Sequence, residues 1–140
     1  MANKFAKGEF IPKNPAKYIG SHPIIYRSSW ELAMMRCFDN HPFVINWASE
    51  TIMIPYVSPL DGRYHKYFPD FLVIYMDKNG KKIGEVIEIK PLNQSDESKA
   101  KSKRDKLSVV VNHAKWNAAI AWCKLKGLKF RVMTKDQLFR

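Results

Sequence analysis

A chain of 140 residues has room for one domain with a substantial core, and its 46% hydrophobic and 13% aromatic content excludes a disordered chain. No apolar run approaches the length of a membrane span. The net charge of +11 is uneven: residues 1–94 carry 12 basic against 9 acidic groups, residues 95–140 carry 12 against 4. Such a surface attracts phosphate chains through counterion release without reading sequence, which favours a nucleic-acid partner over a merely soluble basic protein.

Residues 1–23 hold Pro12, Pro15, Pro23, Gly8 and Gly20 with no sustained period, and read as an extended arm made basic by Lys4, Lys7, Lys13 and Lys17. Phe5, Phe10, Ile11 and Tyr18 favour at least partial docking of that arm on a single domain spanning 24–140. The charges in Met1–Phe10 leave no apolar stretch for an export signal there. A first helix is expected from Ser28 to about Asn40, stopped by Pro42. Trp30, Met34 and Cys37 share one stripe of it, Glu31, Met35 and Phe38 the adjacent one. Ser28-Ser29-Trp30-Glu31 matches the capping box, with Ser28 as N-cap and Glu31 at N3. Strands are expected near Val44–Ala48 and Thr51–Tyr56, then a turn at Pro59-Leu60-Asp61-Gly62.

Phe68–Met76 and Ile83–Lys90 are apolar, β-rich runs joined by a hairpin signal, Asp77 to Lys82. Both alternate sets of the first run are apolar, as in a sheet covered on both sides. Residues 91–104 are polar and lysine-rich and read as a mobile segment between the β-rich middle and the second helix. A second helix is expected from about Asp105 to Lys126, burying Val109, Trp116, Ile120 and Cys123, with Gly127 as its stop. Leu128–Met133 reads as a last strand, followed by a turn begun at Thr134. The order predicts an α/β domain with a mixed central sheet flanked by helices. Trp30, Trp116 and Trp122 are expected to pack rather than stack on bases, and Trp47 is open. Cys37 and Cys123 are too few for a disulfide framework and the four histidines lack zinc spacing, so a reducing compartment without structural zinc is expected.

One triplet stands out. In a strand, Glu88 and Lys90 project together while Ile89 enters the opposite face. Charged groups ending an otherwise buried strand have a desolvation cost that favours pairing or metal binding. Hydrolysing a phosphodiester needs a divalent cation, an activated water and positive charge for the developing oxyanion, and magnesium accepts one or two carboxylates. For Asp70 to join them it must share their face. A two-residue Asn79-Gly80 loop would set Asp70 opposite Ile89, on the wrong face. A three-residue Lys78-Asn79-Gly80 loop with left-handed Gly80 sets it opposite Glu88, and that loop, or an equivalent bulge, is predicted.

Pro69-Asp70 followed by Glu88-Ile89-Lys90 resembles the signature of PD-(D/E)xK nucleases, which have a restriction-endonuclease-like core. The set Arg27-Ser28-Ser29-Trp30-Glu31, Trp47-Ala48-Ser49-Glu50, Ile54-Pro55-Tyr56 and Tyr64-His65-Lys66-Tyr67, with Ala114-Lys115-Trp116 and Phe130-Arg131, is similar to the head completion nucleases of T-even-type phages. The same core resembles the catalytic domain of the TnsA transposase subunit. The resemblance implies a metal-dependent endonuclease acting on DNA ends or junctions at the packaged head, beside head or portal proteins, in the host cytoplasm or as a minor virion component. Asp70 and Glu88, with the Ile89 carbonyl, would hold Mg2+ or Mn2+, and Lys90 would orient or deprotonate the attacking water. Glu31 would be a further ligand, or would serve only its helix cap. Arg27, Ser29, Arg63, His65 and Lys66 are candidate DNA contacts near that centre. Lys99, Lys101, Lys103, Arg104 and Lys106 form a basic run suited to backbone phosphates. Clean double-strand breaks would need two copies, hence a homodimer. The competing readings are a transposition or restriction endonuclease, and a non-catalytic protein that binds DNA ends at the head.

Overall fold

A computed structural model describes residues 7–90 and 102–134. Strands β3 (Val44–Ser49), β6 (Phe71–Met76), β7 (Lys82–Lys90) and β8 (Lys129–Thr134) form the central sheet in the order β3-β6-β7-β8. The first three run antiparallel and β8 joins β7 in parallel, so the sheet is mixed, as the sequence predicts. Two small hairpin-like pairs flank it. β1 (Gly8–Glu9) pairs with β2 (Ile25–Tyr26), and β4 (Ile54–Val57) with β5 (Tyr64–Tyr67).

Helix α1 (Ser29–Asn40) is capped as expected: the Ser28 hydroxyl accepts the Glu31 N–H at 3.2 Å. Of its two candidate stripes, the one with Met35 and Phe38 is buried, together with Asp39, while Cys37 is exposed. These side chains pack with Phe71, Val73, Ile87 and Ile89 on one face of the sheet. Trp47 lies fully buried at the centre of this cluster, ringed by Phe10, Tyr18, Phe38 and Phe71. Asp39 accepts the N–H groups of Lys13 and Asn14, which fastens the N-terminal segment to the helix.

The second helix, α2, spans Lys103–Lys126 and begins two residues before the expected Asp105. Its N-cap is Ser102, whose hydroxyl accepts the Asp105 N–H at 3.0 Å. Lys103 and Arg104 therefore belong to its first turn rather than to the segment before it. Its buried stripe is Val109, Asn112, Trp116, Ala119 and Cys123, and the expected Ile120 is instead 54% exposed. Gly127 ends it at φ 72°, a left-handed geometry that glycine adopts without steric cost. Trp116 and Ala119 pack with Ile54, Tyr56 and Tyr67 and against Phe130 and Val132. Val132 pairs with Glu88, so α2 covers the face opposite to α1.

The β6–β7 register fixes the site. Phe71 pairs with Ile87 and Met76 with Lys82. The Asp77 N–H donates to the Lys81 carbonyl and the Gly80 N–H to the Asp77 carbonyl, with Gly80 at φ 78°. This is the three-residue loop the sequence predicts, and one further step along the register sets Asp70 opposite Glu88.

Candidate active site

The β6–β7 ladder stops at Phe71 and Ile87, and side chains take over beyond it. Asp70 Oδ2 accepts the Ile89 N–H at 2.7 Å, while Glu88 Oε1 accepts the Asp70 N–H at 3.2 Å. Lys90 Nζ lies 3.2 Å from Glu88 Oε2. Glu88 is only 4% exposed, and Lys90 is mostly enclosed. Three groups from two paired strands thus meet at one end of the sheet. Glu85, three residues before Glu88, faces away: its carboxylate accepts the Tyr75 hydroxyl at 2.9 Å and pairs with Arg131 Nε at 2.6 Å.

Electrostatics at this point are costly. Burial, and then the charge of Glu88, push the Asp70 carboxyl well above the usual carboxylate range. Burial also raises Glu88, although Lys90 beside it pulls the other way. Glu31 contributes to the same field: burial raises its own pKa, and its charge is felt at Asp70. The Ser28 hydroxyl lies 3.3 Å from Glu31 Oε2, so the capping serine holds this carboxylate at the helix start. Among the described residues, no three acidic, histidine or cysteine side chains are gathered into a ready metal cage. The donor set nonetheless fits a hard divalent cation, because two buried carboxylates sharing one ammonium leave uncompensated negative charge.

The other expected contacts are distributed around this centre. Arg27 is ion-paired with Glu50, whose N–H donates to the Asp70 carbonyl at 3.0 Å. Ser29 has its hydroxyl buried rather than turned outward. Arg63 and Lys66 are exposed on the β4–β5 pair, and His65 there bonds Asp61 at 2.8 Å. Lys103, Arg104 and Lys106 are exposed on the first turn of α2, whereas Lys99 and Lys101 lie outside the described residues.

Sequence reasoning missed three participants. Lys115 of α2 lies over the rings of Tyr56 and Tyr67, at 5.8 and 5.7 Å from their centroids. Its pKa is lowered, first by burial and then by the charge of Lys90, and the two lysines line one cleft. Tyr67 is buried, and burial first and the charge of Glu88 next push its hydroxyl's pKa up. Glu50 holds Arg27 from a left-handed backbone, φ 49°, a conformation that non-glycine residues keep mostly where surrounding structure enforces it. Two signals for Lys115 were available: its place in the Ala114-Lys115-Trp116 motif of the resemblance, and its position three residues after Asn112 and four before Ala119, on the edge of the buried stripe.

A family model for the TnsA-like endonuclease N-terminal domain matches residues 41–135. The chain belongs to the TnsA-like endonucleases. It is also 35% identical, over 94% of its own length and 92% of the relative's, to the head completion nuclease of Enterobacteria phage T4. The fold is accordingly the restriction-endonuclease-like α/β core of this family, and the protein is a nuclease. The family match takes in Asp70, Glu88, Lys90 and Lys115; Arg27 and Glu31 fall before it, within the stretch of similarity to the phage nuclease. Among the described residues of this TnsA-like endonuclease, no helix is long and apolar enough to cross a membrane.

Proposed function

We propose that this nuclease is a divalent-metal-dependent DNA endonuclease of the PD-(D/E)xK type. Asp70, Glu88 and the Ile89 carbonyl would hold Mg2+ or Mn2+, with Glu31 as a further ligand or as a group that positions one through water. A cation bound there would polarise the scissile phosphate and make water acidic enough to attack. Lys90, anchored on Glu88, orients or deprotonates that water and steadies the phosphate's developing charge. Lys115, seated over Tyr56 and Tyr67, adds positive potential from α2. The observation that carries the reading is the mutual bonding of Asp70 and Glu88 next to Lys90, which concentrates two acids and an ammonium where the sheet opens.

Similarity to a head completion nuclease supports a reading of the biological setting. We infer action on DNA ends or junctions during head completion after packaging, beside head or portal proteins in the host cytoplasm. Two copies acting together would account for double-strand cuts, and retention in the virion as a minor component fits the same setting. Plasmid nicking tests the chemistry. Wild type should nick supercoiled DNA with magnesium or manganese and stop in EDTA, while Asp70→Ala and Lys90→Ala should bind DNA without nicking it. Nicking that persists in Asp70→Ala would sink the assignment. A comparison of linear, branched and closed substrates identifies the preferred DNA structure.

A further inference from the structure

A cleft of ≈ 340 Å³ opens beside Lys90, between the tip of the β4–β5 connection at Leu60 and one face of α2. Arg104, Ser108, Asn112 and Lys115 line its helical wall, at spacings of four, four and three residues, a single stripe along the helix. At 1.5 Å rise per residue that stripe runs about 16 Å. Among the described residues no acidic side chain lines the cleft, and three of its lining groups are cations. At its inner end Lys115 is held over two tyrosine rings beside Lys90, and among the described residues it makes no salt bridge. An ammonium seated over aromatic rings, without a salt bridge among the described residues and at the end of a cationic groove, is suited to a phosphate.

We propose that this face of α2 is a track for the sugar–phosphate backbone of one DNA strand, in which Lys115 holds the phosphate next to the scissile one and Arg104 holds one farther along. The proposal rests on the nuclease reading of Asp70, Glu88 and Lys90, and adds to it the direction in which the strand leaves. Ser108 of the stripe supplies a neutral polar group between the cations. Contacts confined to phosphates carry no sequence information, so this track gives affinity without sequence preference.

The test is metal-free binding. The affinity of a short fluorescent duplex and of the matching single strand is measured in EDTA over a salt series, for wild type, Lys115→Gln, Arg104→Gln and Lys129→Gln. Lys129 is exposed at the start of β8, next to Glu85 in the register rather than at the site, and its substitution removes the same unit of charge. Lys115→Gln and Arg104→Gln should each weaken binding on the order of tenfold and make the salt slope shallower by about 0.9 for duplex or about 0.7 for single strand. Lys129→Gln should leave the slope alone, and Lys115→Arg should restore it. Slopes for Lys115→Gln and Arg104→Gln equal to that of Lys129→Gln overturn the track. Arg104, exposed on the first turn of α2, keeps the test valid should Lys115→Gln disturb the tyrosine packing. Nicking is scored separately on wild type with magnesium. Lost slopes without nicking uphold the track and remove the catalytic reading, whereas nicking with unchanged slopes does the reverse.

Discussion

Asp70 and Glu88 each bond the other's strand: the Asp70 carboxylate takes the N–H that follows Glu88, and the Glu88 carboxylate takes the N–H of Asp70. Two acids are thereby locked face to face at the one place where the sheet ladder ends. The bonds orient them, but burial and mutual repulsion oppose their charges.

Replacing Asp70 by asparagine should therefore stabilise the metal-free protein at neutral pH. A carboxyl whose folded pKa is raised stabilises the fold fully below its unfolded pKa. That contribution is lost as pH rises through the raised folded value. Wild type in EDTA should accordingly lose melting temperature between the ordinary carboxylate range and neutrality, and Asp70→Asn should lose less. At neutral pH the asparagine variant should gain on the order of 1 kcal/mol. Magnesium should raise the melting temperature of wild type alone, and only wild type should nick. Equal melting of the two proteins at every pH would show that the acids do not share a field.

Glu31 has two jobs that a pair of substitutions separates. Its N–H donates to the Ser28 hydroxyl at 3.2 Å, and that hydroxyl lies 3.3 Å from its carboxylate, so the N–H bond serves the helix start and the carboxylate is left for the metal. Glu31→Gln should leave melting nearly unchanged and lower nicking at least tenfold, with a higher metal requirement. Ser28→Ala should cost about 1 kcal/mol of stability and retain most of the nicking rate at low temperature. The reverse pattern would reduce Glu31 to a capping residue.

What could be read in the sequence was local. Ser28 and Glu31 spell a helix start, Gly127 a helix stop, and Gly80 a loop whose length decides which face Asp70 takes; each follows from backbone geometry within a few residues. The misreadings arose where distant segments meet. Asp39 is buried because the N-terminal segment donates two N–H groups to it, which no periodicity within α1 reveals. Ile120 is exposed while Ala119 is covered, because α2 turns its small residue toward the close-lying β4 and β5 tyrosines. The start of α2 is the exception: the Ser102 cap on the Asp105 N–H is a local signal, obscured by the lysines around it. Lys115 belongs to the site only through the placement of α2 over Tyr56 and Tyr67.

Gly80 tests the register argument without touching the chemistry. At φ 78° a side chain is strained, although a Cβ there would meet nothing within 4 Å. Gly80→Ala should cost about 1 kcal/mol, read as a lower melting temperature. The nicking rate of the folded fraction should stay within about twofold, because the loop's strain does not reach the far end of the hairpin. A large loss of nicking with intact melting would mean that the loop controls the site by another route.

The two buried glutamates of β7 give the sharpest contrast. Glu85 and Glu88 are both nearly inaccessible, but three residues apart on a strand they face opposite sides. Glu85 is satisfied by Tyr75 and Arg131, with no unmet demand for a cation. Glu85→Gln should therefore cost about 1–2 kcal/mol of stability through the weakened charge-assisted bonds. It should leave nicking by the folded protein within about twofold. Glu88→Gln keeps the same shape, yet it removes a charge facing Asp70 and Lys90, and should lower nicking on the order of 100-fold or more. Its metal-free melting should change little, since relief of the buried charge is offset by the lost pairing with Lys90. Should Glu85→Gln abolish nicking as fully as Glu88→Gln while both remain folded, the catalytic face of the sheet is the one under α1, and Asp70 has been given the wrong neighbours.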